Sequence, residues 1–127
     1  MTDQQTTETP ETYAGLTREQ VQALRREHGA ERVKLLSAPV GNRRLQVVVR
    51  APTRDEYDRY LETMIKLEKQ PGRALAANRT LLLACLLAPD PKTVTPEFDA
   101  RPALVDKFVE PVLNMAGADA EVREETF

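Results

Sequence analysis

A chain of 127 residues with 41% hydrophobic content and a formal net charge of -2 is long enough for one domain with a real core. Its charge balance by itself argues neither for nucleic acid nor for a membrane surface as partner. Three phenylalanines, three tyrosines and no tryptophan leave the core to leucine, valine and alanine, a composition that leans helical.

The single cysteine, Cys85, excludes an intrachain disulfide, and a reducing, cytosolic setting fits. The N-terminal stretch MTDQQTTETPETYAG has no basic start and no apolar segment, so no signal or transit peptide is expected. The longest apolar run is eight residues, 81–88, against the roughly 20 needed to span a bilayer. Charge is unevenly spread: residues 33–54 hold Lys34, Arg43, Arg44, Arg50 and Arg54 with no acid, whereas residues 119–127 hold four acids and one arginine.

Residues 1–15, rich in Thr, Gln and Glu, are expected to be a disordered tail. A capping box of Thr17 and Gln20, with Leu16 stapled on Val21, predicts a short helix that ends in Arg25, Arg26, His28 and a left-handed Gly29. Two β-prone runs follow, ERVKLLS and RRLQVVVRA, separated by APVGN, which predicts a hairpin with a loop longer than two residues. Leu45, Val47 and Val49 share one face of the second strand and Gln46, Val48 and Arg50 the other, of which one face needs full cover.

Pro52 ends that strand, and Thr53 with Glu56 forms a second capping box. Tyr57, Tyr60, Leu61, Met64, Ile65 and Leu67 then recur at helical spacing up to the stop at Gln70-Pro71-Gly72. Residues 73–88 read as one central helix, apolar all round its second half and stopped by Pro89-Asp90-Pro91. A loop leads to a cap at Thr95-Pro96 or Asp99, and a last helix over 101–115 carries Leu104, Val105, Phe108, Val109, Val112 and Leu113, with a kink expected at Pro111. The fold expected is α+β and mostly helical: about four α-helices with one β-hairpin between the first and second. It occupies residues 16–117 and is followed by a flexible acidic tail over 118–127.

No residue pattern carries catalysis. His28 lacks a nucleophile or acid partner and sits where a cation meets a helix C-terminus, and Cys85 in a leucine-rich helix reads as core. One His and one Cys make no nitrogen- or sulfur-ligated metal site, and neither metal nor cofactor is expected. Asp55, Glu56, Asp58 and Glu62 complement a helix dipole and pair with Arg59 and Lys66. Arg43, Arg44, Arg50 and Arg54 form a basic hairpin surface, but without stacking aromatics it suits an acidic partner or an edge guarded against aggregation better than nucleic acid.

The succession LTREQVQALRREHG, hairpin, VVVRAPTRDEYDRYL, LLLACLLAPD and RPALVDKFVEPVLNMAG, over residues 16–117, resembles small tail assembly chaperones of long-tailed bacteriophages and prophages. In those proteins a strand ends in arginine and proline before a helix, a cysteine-containing apolar helix ends at proline, and the last helix follows arginine-proline and ends in alanine-glycine. The resemblance implies a non-enzymatic factor of the host bacterial cytoplasm that binds the tape measure protein, promotes tail tube assembly and is absent from the mature virion. It transfers no catalytic residues. The tail tube protein is a further partner it allows, and homo-oligomerisation stays open.

Other classes remain: a structural tail or head-tail connector protein, and a small nucleic-acid-binding regulator using the basic hairpin. For the chaperone, helix-in-groove binding suits apolar helical segments. The faces around Tyr57, Tyr60, Leu61 and Met64 and around Phe108, Val112 and Met115 either supply that groove or are spent on the internal core.

Overall fold

The structure, a computed structural model, describes residues 11–127. It begins with a two-stranded ribbon, β1 (Thr12–Tyr13) against β2 (Leu16–Thr17), turned through Ala14 and Gly15, both at positive φ. Residues 11–15, expected as tail, are therefore folded; residues 1–10 lie outside the described part. What holds the ribbon is specific. The Ala14 N–H donates to Gln46 Oε1 at 2.9 Å, and Tyr13, Ala14 and Leu16 pack on a small cluster of Val33, Val48 and Ala88.

Helix α1 (Arg18–His28) starts at the Thr17–Gln20 capping box as its sequence predicts. Gly29 ends it at positive φ, though its ψ of 132° lies outside the left-handed helical region expected. One 3-10 turn (Ala30–Arg32) leads into strand β3 (Val33–Val40), which pairs in full antiparallel register with β4 (Arg43–Arg50). The connection is the tight two-residue turn Gly41-Asn42, not the longer loop expected. Pro39 and Val40 belong to the strand, and Gly41, at φ 69°, supplies the positive φ that a tight hairpin needs at its first central position.

Both faces of β4 are covered. Leu45, Val47 and Val49 point into the main core, and Val48 is just as fully buried in the smaller cluster beneath the N-terminal ribbon. The expectation of one covered face fails because the N-terminal segment and a third strand close the other. That strand is β5 (Leu86–Ala88), paired antiparallel to β4 with a register shift at Val48/Val49. The helix preceding it, α3 (Arg73–Cys85), thus stops three residues earlier than its apolar run implies. A run apolar on every side carries no periodicity to separate a buried helix from a buried strand.

Between β4 and α3 lies α2 (Arg54–Lys66), opened by the Thr53–Glu56 capping box. After β5 comes an unexpected helix, α4 (Pro91–Ala100), N-capped by Asp90, whose side chain accepts from the Lys92 N–H at 2.8 Å. Pro91 reads as a breaker in the sequence but occupies the first helical position, where its missing N–H costs nothing. The last helix, α5 (Ala103–Met115), runs through Pro111.

The described residues therefore form an α+β fold with five α-helices, a three-stranded sheet in the order β3-β4-β5 and the two-stranded ribbon. Helices α3, α4 and α5 cover one sheet face, burying Leu81, Leu82, Cys85, Val94, Phe98, Val105, Phe108, Val109 and Val112 with the strand valines. Ion pairs of Arg43 with Glu97 at 2.6 Å and Arg79 with Asp99 at 2.9 Å tie α4 to the hairpin and to α3. Residues 118–127 are exposed.

Replacing Gln46 with alanine removes the acceptor that anchors the ribbon. Urea unfolding should show a loss of about 1 kcal/mol, and the Ala14 amide should exchange with solvent far faster than in the parent.

Candidate functional site

The clearest concentration of polar chemistry lies where β4 ends. Arg50 makes a two-pronged ion pair with Glu56, Nη1 to Oε1 and Nη2 to Oε2, each at 2.8 Å. Nη2 also donates to the Ala84 carbonyl at 2.8 Å and Nη1 to the Ala51 carbonyl at 3.1 Å. Glu56 Oε1 accepts in addition from the Thr53 N–H at 2.9 Å. One guanidinium and one carboxylate thus join the end of β4, the first turn of α2 and the last turn of α3. Both side chains are only 19% exposed.

Electrostatics follow from this geometry. The Arg50 hydrogen bond, reinforced by the Thr53 amide, outweighs partial burial and holds the Glu56 carboxyl down at about 2, while Arg50 is raised above its usual range. Cys85 stands next to the pair, its Sγ 3.8 Å from Glu56 Oε1, and burial first, then the Glu56 charge, pushes the thiol up to about 12. A thiol so protonated and buried is a core group and not a nucleophile.

This clamp changes the reading of the basic hairpin. Arg50 faces inward, Arg43 is paired with Glu97, Arg44 donates to the Ser37 Oγ at 2.9 Å and to the Ser37 carbonyl at 3.2 Å, and Arg54 lies 3.8 Å from Asp58. The four arginines do not make one open cationic surface. The sequence signal for the clamp is an arginine closing a strand six residues before the glutamate of a capping box, a spacing that reads equally well as two surface charges.

The proposed apolar faces also divide. Phe108 and Val112 are buried, with the Phe108 ring 6.2 Å from that of Phe98, and Met115 packs at the edge of the same core. That face is spent on the fold. On α2 no residue is fully buried. Tyr60 packs half-buried on the main core, Tyr57 stacks on it with ring centres 6.1 Å apart, and Met64 is half-buried on the same stripe. Leu61 and Ile65, one turn apart beside that stripe, are 41% and 69% exposed. Ile65 joins the expected set because the apolar arc of α2 is wider than α3 can cover, and Leu75, at the start of α3, is exposed as well.

Between α2 and α3 only a slot of about 40 Å³ remains, lined by Glu56, Tyr60, Thr63, Ala77 and Ala84 among others. It has room for about one or two waters and none for a substrate. No group of three or more His, Cys, Asp or Glu side chains among the described residues is placed to hold a metal ion. No helix among them is long and apolar enough to cross a membrane.

Two results follow from the titration of these groups. The Glu56 value in the fold lies below its ordinary 4.5, so the unfolded chain binds the extra proton as pH falls. Stability from this carboxylate is complete above about pH 5 and is lost between about 4.5 and 2; acid titration of the folding free energy should show that loss, and the Glu56→Gln variant should flatten the profile there. Cys85 should resist a disulfide-exchange reagent at pH 8 in the native protein and react fully once urea unfolds it.

Among solved structures, the chain is similar to an uncharacterised protein from Bacillus stearothermophilus, with a TM-score of 0.59 and 15% identity over 82% of this chain and 98% of that one. The likeness is one of fold. No curated protein matches the chain. The sequence pattern of a family described as a domain of unknown function, DUF6848, matches residues 24–125, a span that takes in the sheet, the clamp and helices α2 to α5, and the chain belongs to that family.

Proposed function

We propose that the chain is a non-enzymatic binding protein that holds an amphipathic helical segment of a partner against the outer face of α2, and that it acts as a tail assembly chaperone for a phage tape measure protein. The carrying observation is the exposure of Leu61 and Ile65 on a helix with no fully buried residue. Leaving two large aliphatic side chains one turn apart in water has a cost that covering them removes, at roughly 25 cal/mol per Å² of apolar surface. Two residues at i and i+4 are the spacing by which one helix reads another.

The choice of partner rests on the sequence resemblance over residues 16–117, whose strand, proline and cap signature falls on the clamp between β4 and α2. In this reading the clamp sets the pitch of α2, and the outer face of α2 meets the client in the host cytoplasm before tail tube assembly. Asp58, Glu62 and Lys66 flank the apolar pair and supply the polar rim of such a contact. The pairing of Arg43, Arg50 and Arg54 with acids weighs against the nucleic-acid reading.

Co-expression with a tape measure protein tests this. The double variant Leu61→Glu/Ile65→Glu, at exposed positions, should keep its unfolding free energy within about 1 kcal/mol of the parent and lose the client on affinity purification. Phe108→Ala should lose about 3–5 kcal/mol of stability as a cavity opens in the core. Retention of the client by the stable double variant would refute the α2 surface; failure of the parent itself to retain any client would refute the chaperone assignment.

A further inference from the structure

Strand β3 forms one edge of the three-stranded sheet, and no strand lies beside its outer side among the described residues. The hairpin closes at the Val40/Arg43 pair, and at the far end the Arg32 carbonyl accepts from the Ala51 N–H at 2.8 Å. These two ends fix the alternation of the ladder. The backbone groups of Lys34, Leu36, Ala38 and Val40 face β4, and those of Val33, Leu35, Ser37 and Pro39 face outward. That outer row is sealed at the hairpin end. Pro39 has no N–H to offer, and Arg44 donates to the Ser37 carbonyl at 3.2 Å. Further along, the Leu35 N–H and C=O and the Ser37 N–H have no partner among the described residues.

The unsealed stretch borders a cleft. Between the N-terminal ribbon, α1 and β3 the described chain leaves about 390 Å³, within the range of about 300–1,000 Å³ typical of ligand sites. Among the described residues Leu35 is the only one of the three-stranded sheet in its lining, so the cleft meets the sheet at its edge strand. Tyr13, Leu16, Val21 and Leu35 give it an apolar floor. Arg18, Gln22 and Arg25 join Val21 in lining one wall, and their spacing places them on one stripe of α1. Neither Arg18 nor Arg25 has a carboxylate within ion-pairing distance among the described residues. Glu11 stands at the ribbon end, so the anion-attracting part of the rim is the α1 side.

We propose that the outer edge of β3 at Leu35 and Ser37 is a strand-addition site for an extended, acidic segment of a partner protein. One apolar side chain of that segment enters the cleft, and acidic side chains two residues to either side of it meet Arg18 and Arg25. In such a site the free ladder groups supply the backbone bonds and the pocket selects alternate side chains. Residues two apart in a strand lie about 7 Å apart on one face, which sets the two acids about 14 Å apart. Arg18 and Arg25 are seven residues, or about 10 Å, apart along α1, and their long side chains cover the difference. The seal at Ser37 and Pro39 confines pairing to a short ladder and guards β3 against pairing along its full length with a second copy. The site shares no residue with the α2 face and stands apart from the chaperone reading.

Titration of the full chain with the end-blocked peptide GETLTEG, followed by NMR, measures it. The Leu35 and Ser37 amides and the Arg18 and Arg25 Nε–H signals should shift together and saturate, and both amides should gain protection from solvent exchange. Binding should weaken about tenfold or more in the Arg18→Ala/Arg25→Ala variant, with circular dichroism unchanged, and by a similar factor for the peptide GKTLTKG. A GETLTEG peptide N-methylated along its backbone, which cannot complete the ladder, should not bind. No saturable shift up to about 10 mM peptide, a regime of millimolar affinity, would overturn the proposal, as would equal binding by the arginine variant or by the N-methylated peptide. Protection of the Leu35 and Ser37 amides in the dilute, peptide-free protein would overturn it in favour of an edge covered by the chain itself. Protection that arises only as the peptide-free protein is concentrated would overturn it in favour of pairing between copies.

Discussion

The contact between Arg50 and Glu56 is the joint on which the arrangement of this domain depends. β4 is the central strand of the three-stranded sheet, and its last residue holds α2 and α3 by hydrogen bonds at 2.8 Å. Glu56 has two duties, as the returning carboxylate of the α2 capping box and as the partner of Arg50. A helix start and a strand end are thereby fixed by one side chain. Without it, α2 would be tied to the core mainly through Tyr60, since none of its residues is fully buried.

That division of labour explains why α2 can present a face to solvent. α3, α4 and α5 are held by burial, through Leu82, Val94, Phe98, Val105 and Val112. α2 is held at its N-terminal end by charge-assisted hydrogen bonds and along its length by a narrow aromatic stripe, Tyr57 on Tyr60. Beside that stripe Leu61 and Ile65 stay exposed. A polar anchor fixes the helix while leaving a surface that burial would have consumed. The protonated, buried Cys85 beside the clamp completes a joint with no free reactive group.

Legibility in the sequence tracks how local each determinant is. Both capping boxes, Thr17 with Gln20 and Thr53 with Glu56, were readable because each is complete within four residues, and the hairpin strands showed in their β-branched runs. β5 was not readable, because Leu81 to Ala88 is apolar on every side and only pairing with β4 decides where helix gives way to strand. α4 was hidden by two prolines: Pro91 occupies the first helical position, where it is no breaker, and Pro96 lies inside the helix, where proline normally counts against one. The N-terminal ribbon depends on Gln46, over thirty residues away, and no local pattern announces such a bond. At the candidate surface, the α2 stripe was visible as apolar periodicity, but which side of it faces the core is a property of packing. The same holds for Phe108 and Val112, whose burial no spacing could separate from an exposed face, and for Arg50, whose role appears only when α3 brings the Ala84 carbonyl to it.

The central claim, that the pair works as a coupled structural joint, is tested most directly by a double-mutant cycle of Arg50→Ala and Glu56→Ala, followed by urea unfolding at neutral pH. A bidentate pair with this little exposure and a shared helix cap should give a coupling free energy of about 1.5–3 kcal/mol. A coupling below about 0.5 kcal/mol, the size found for exposed surface pairs, would contradict it.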